Sequence, residues 1–69
     1  MSYKRKKIIK ALREYGYDLV REGKKHSIYG NPEGRKVPVP RHTEITPKVA
    51  RAIADEMGMD WKEFQQKIR

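Results

Sequence analysis

Ile8, Ile9, Leu12 and Tyr15 follow one another at the three- and four-residue spacing of a single helical stripe. This spacing predicts a helix from about Tyr3 to Tyr15, with Ser2 as its N-cap and Gly16 stopping it at C′. The period then falls to two. Tyr17 to Glu22 is rich in strand formers, with Tyr17, Leu19 and Arg21 on one face. Gly23, Lys24 and Lys25 turn the chain. His26 to Tyr29 reads as a second strand, with His26 and Ile28 on one face and Ser27 and Tyr29 on the other. Asn31-Pro32-Glu33-Gly34 is a turn signal, and Arg35 to Pro40 is a third strand. Its two prolines cannot donate to a ladder, which assigns it to an edge or ends its pairing early. Thr46 and Pro47 are the N-cap and N1 residues of a second long helix, with Val49, Ile53 and Met57 as its stripe and Gly58 as its stop. Ala50 and Ala54 allow this helix to approach a sheet closely. Asp60 and Glu63 have capping-box spacing for a short last helix, through which Trp61, Phe64 and Ile68 pack back.

The order is α-β-β-β-α with a short terminal helix. It predicts an α+β domain, a three-stranded antiparallel sheet packed on two helices. The 69 residues leave room for one domain only, residues 1–69, and a chain of this size has a small core. There is no cysteine, so neither a disulfide nor a zinc-thiolate site can staple it, which points to a cytoplasmic protein. No apolar run reaches the roughly 20 residues of a membrane span. The charge is distributed unevenly. Residues 1–41 carry 12 Lys/Arg against 4 Asp/Glu, whereas residues 42–69 carry 5 of each, together the chain's 17 and 9. The excess of +8 thus belongs entirely to the first part of the fold. One-sided basic charge is the electrostatic footprint of a nucleic-acid binder, although an acidic protein or an anionic membrane surface is attracted in the same way.

Within that basic part His26 is the residue with reactive chemistry. Histidine is the side-chain type suited to exchanging protons under physiological conditions; this one sits beside two fixed cations, Lys24 and Lys25, and starts a strand that gives it a direction. As a general base it can accept the proton of an RNA 2′-hydroxyl, while the lysines neutralise charge on the phosphate. A surface histidine at a hairpin end is the plain alternative. Lys6, Lys7 and Lys10, with Arg35 and Lys36, supply a field for an RNA backbone, or else a solvated face. Tyr29 is placed either to stack a base or to fill the core. His42, beside Arg41, lies in a loop with no strand to orient it. No third ligand stands at convincing spacing for a metal, and no phosphate-cradling glycine loop or paired-carboxylate site is present.

Gly23 to Tyr29, the Asn31-Pro32-Glu33-Gly34-Arg35 turn, the strand Val37-Pro38-Val39-Pro40 and then His42 resemble, in order and spacing, the HicA family of mRNA interferase toxins. The second helix from Thr46 to Met59 and the Lys62-Glu63-Phe64 ending extend the resemblance over about residues 3–66. It implies a fold like a double-stranded-RNA-binding domain and a metal-independent endoribonuclease that cleaves mRNA and inhibits translation. It implies no cofactor. It also implies a HicB-like antitoxin that forms a hetero-oligomeric complex with the toxin and covers the catalytic histidine, which falls on His26. The small residues usual before that histidine are Lys24 and Lys25 here. The alternative is an RNA-binding module of the same fold without catalysis.

Overall fold

The computed structural model describes residues 2–69 and is α+β. Its elements run β1 (Tyr3–Lys4), α1 (Arg5–Glu14), β2 (Asp18–Glu22), β3 (His26–Gly30), β4 (Lys36–Pro40), β5 (Glu44–Ile45), α2 (Pro47–Met57) and α3 (Trp61–Ile68). β2, β3 and β4 form the expected antiparallel sheet with β3 in the centre. The proline-bearing β4 is at an edge, as its missing donors require.

Alternation along β3 and β4 decides the layers. Ser27 lies opposite Val39 and Tyr29 opposite Val37, and all four are buried. Tyr29, Val37 and Val39 join Ile8 and Leu12 of α1, Ala50, Ile53 and Ala54 of α2, and Phe64 and Ile68 of α3 in one core. The opposite sheet face carries His26 against Pro40 and Ile28 against Pro38, with no helix over it. The sheet is therefore covered on one side only, and His26 stands at one end of its open face.

The ends of α2 follow from local chemistry. The Thr46 hydroxyl accepts the Val49 N–H at 3.4 Å and Pro47 occupies the first turn. Gly58 closes the helix in the left-handed region at φ 71°, which a side chain would strain.

Five expectations are corrected. Tyr3 and Lys4 are not helical: they form β1, which pairs with β5 through Tyr3–Ile45 and Lys4–Glu44. Ser2 accordingly does not cap α1; its hydroxyl donates to Glu44. The Ser2 hydrogen bond, and then the Lys4 charge, hold the Glu44 carboxyl below its ordinary range. This contact is in place at neutral pH and is lost as acid protonates Glu44. Tyr15 is 44% exposed and extends past the core, its ring under the Lys67 ammonium at 5.6 Å. A bulge between Leu19 and Arg21 breaks the alternation of β2, so Leu19 shares the Tyr29 face while Arg21 shares that of Ile28. Asp60 precedes α3 without a side-chain cap bond, so the capping box does not form.

Candidate active site and nucleic-acid interface

The β2–β3 hairpin presents His26. The Gly23 N–H donates to the His26 carbonyl at 2.8 Å, which closes a tight turn with Lys24 and Lys25 at its tip. All three side chains of Lys24, Lys25 and His26 are exposed, and among the described residues no carboxylate pairs with either lysine. A Cβ at position 23 would stand 2.9 Å from the His26 carbonyl oxygen, too close for either backbone to yield cheaply. Gly23→Ala is expected to cost about 1–3 kcal/mol, the usual penalty of such overpacking, and to displace His26. Thermal unfolding read beside any RNA cleavage checks this; an unchanged midpoint would refute it.

Directly behind His26 lies a polar cluster that sequence reasoning missed. Ser27 is 1% exposed. Its hydroxyl accepts from Arg5 Nη2 at 2.9 Å and donates to Glu22 Oε1. Arg5 Nε also donates to the Pro40 carbonyl at 2.7 Å, and Arg41 Nη2 reaches the same Glu22 oxygen at 3.1 Å. Arg5 thereby ties the start of α1 to both residues around the hairpin end: Ser27, next to His26, and Pro40, opposite it. A buried hydroxyl needs partners, and here each one is provided. The visible signal was a serine at an inward position of a strand otherwise filled by Tyr29 and its apolar neighbours.

The other site residues separate into groups. Lys6 and Lys10 share a stripe of α1 with Arg13 and are exposed. Lys7 points elsewhere and donates to the Arg69 carbonyl at 2.7 Å. Arg35 and Lys36 lie at the Gly30 end of the β3–β4 ladder, the end away from His26. Arg35 donates to the Glu56 carbonyl at 3.2 Å, the last turn of α2, so this arginine stabilises a helix end rather than extending the histidine's surroundings. Tyr29 is 4% exposed and belongs to the core, so its ring is not offered to a base. His42 is exposed two residues beyond Pro40. Among the described residues no three His, Asp or Glu side chains gather as metal ligands, and no helix is long and apolar enough to cross a membrane.

What the arrangement can do is bounded by this geometry. It offers one imidazole and two exposed ammonium groups on an open surface, a setting suited to proton transfer at a phosphodiester. No curated protein matches the chain. The sequence profile of the family described as "HicA toxin of bacterial toxin-antitoxin" matches residues 5–59, most of the 69. The matched span runs from Arg5, the anchor of the hairpin end, through His26 to the close of α2, and the chain belongs to the HicA family of toxins from bacterial toxin–antitoxin systems.

Proposed function

We propose that this toxin is a metal-independent endoribonuclease that cleaves mRNA and so inhibits translation in the cytoplasm, with His26 as its general acid/base. The observation that supports this reading is the placement of His26: exposed, first in the central strand, held by the Gly23–His26 bond and preceded by two exposed lysines. The neutral imidazole takes the proton of the 2′-hydroxyl as its oxygen attacks phosphorus. The 5′-oxygen leaves with a proton returned by the imidazolium or by water, and a 2′,3′-cyclic phosphate remains. Lys24 and Lys25 meet the charge that builds on the non-bridging oxygens, the work that the small residues usual at this place leave to the backbone. Lys6 and Lys10 hold the RNA backbone. A HicB-like antitoxin neutralises the activity by covering His26, forming a hetero-oligomer with the toxin.

Incubating the purified protein with single-stranded RNA in EDTA tests the reading. Fragments ending in a cyclic phosphate are expected. RNA that is retarded on a native gel yet keeps its length would make the protein a binding module and end the catalytic assignment.

A further inference from the structure

The face of α1 turned away from the core lines a groove of about 770 Å³, bordered by Lys4, Arg5, Lys6, Lys10 and Arg13 with Ile9 among them and with Glu14, whose carboxylate pairs with Lys67 at 3.5 Å, at its far end. Its volume lies in the range of sites that hold small ligands and nucleotides. Lys6, Lys10 and Arg13 stand at i, i+4 and i+7, so their like charges face one another along one stripe and cost the helix some stability. Among the described residues none of the three is in an ion pair, although the chain pairs Lys67 with Glu14, Arg41 with Glu22 and Lys4 with Glu44. Lys7 and Arg35, by contrast, are engaged with carbonyl oxygens. The unneutralised cations of α1 are thus concentrated on one groove.

The groove is tied to the hairpin end that bears His26 through Arg5. Arg5 lines it and also binds the carbonyl of Pro40, the residue opposite His26. Thr43 lines it too, and its carbonyl accepts the Arg5 N–H at 2.9 Å. Chain from Pro40 to Thr43 therefore runs between the histidine and the groove. Ile9, half-buried against the core, adds an apolar surface among the cations.

We infer that this groove is the second subsite of the RNA site: it receives the phosphates of a single strand whose scissile bond lies at His26. The inference rests on the endoribonuclease reading and adds the strandedness and the path of its substrate. Lys6 to Arg13 spans about 10 Å of helix rise, enough for more than one phosphate of an extended strand. A cationic track beside apolar surface suits unpaired nucleotides, whose bases are free to contact it.

The test uses fluorescein-labelled oligoadenylate, a trinucleotide and a nonanucleotide, with the full chain carrying His26→Ala so that the probe stays intact. The longer probe is expected to bind more tightly, and adding Lys6→Ala with Lys10→Ala is expected to remove most of that advantage. The slope of log affinity against log salt should fall by about 1.4, two contacts at roughly 0.7 each for a single strand. Lys48→Ala with Lys62→Ala, the same charge loss on α2 and α3, should leave the length advantage in place. Equal weakening by both pairs would reduce the groove to bulk charge and overturn the inference. Tighter, groove-dependent binding of a duplex of equal length would overturn the single-strand assignment. Groove-dependent binding in a protein that cleaves nothing in EDTA would sink the catalytic reading and leave the groove standing.

Discussion

His26→Ala is expected to lower RNA cleavage by about 10²–10⁴-fold, the usual contribution of a positioned acid or base, and to relieve growth inhibition. The fold should survive unchanged, because the side chain is exposed on the open face of the sheet and the hydrogen bond that ties this residue to the turn is accepted by its backbone carbonyl. That separation is what makes the substitution informative. Most active-site changes confuse lost chemistry with lost structure, whereas here the thermal midpoint and the circular dichroism spectrum should match those of the parent. Undiminished cleavage in EDTA would remove His26 from the mechanism.

Phe64→Ala is expected to unfold most of the population at physiological temperature. Phe64 is fully buried, and Trp61 packs near it with ring centroids 6.4 Å apart. Truncating a buried phenylalanine costs about 3–5 kcal/mol. A domain this small rarely holds more than about 3–5 kcal/mol of stability from its core. The loss therefore matches the whole of the available margin. The prediction is pointed because α3 lies beyond the residues that match the toxin family, 5–59. The matched span alone would leave α3 outside; packing makes it part of the core. Urea titration of the variant, read by circular dichroism, checks this, and a midpoint within error of the parent would contradict it.

The parts of the fold that repeat were legible in the sequence. Ile8 and Leu12 marked the inner face of α1, Thr46 and Gly58 bounded α2, and alternation along β3 put His26 and Tyr29 on opposite faces. The parts that depend on pairing between distant residues were not. β1 and β5 are two residues each, too short to show a period, and their partners are 40 or more positions apart, as Tyr3 and Ile45 show. Ser2 has the chemistry of a helix cap, and nothing local reveals that Glu44 competes for its hydroxyl. The bulge in β2 hid for the same reason: Leu19 and Arg21 alternate properly as text, and only the ladder shows them on different faces.

At the site, the identity of the central residue was readable and the extent of its surroundings was not. Lys24 and Lys25 flank His26 because they precede it. Arg35 and Lys36 looked close across a turn, but antiparallel register sends a residue after the turn to the far end of the sheet, where Arg35 caps α2. Arg13 went unnoticed because it lies one further turn along the stripe of Lys6 and Lys10; Arg5 read only as one of the basic run at the start of α1, because the partners it anchors come from three different segments.

The prolines of β4 have a consequence for the life of a protein with so thin a margin. Excursions from the native state are frequent when only a few kilocalories hold it. An exposed sheet edge then becomes a template on which further copies can add. Pro38 and Pro40 lie on an edge strand without N–H groups to offer, so that side is a poor template for a further ladder. The other edge is β2, interrupted by its bulge and studded with Asp18, Arg21 and Glu22. Both edges of the sheet are thus poorly suited to taking on further strands during such excursions.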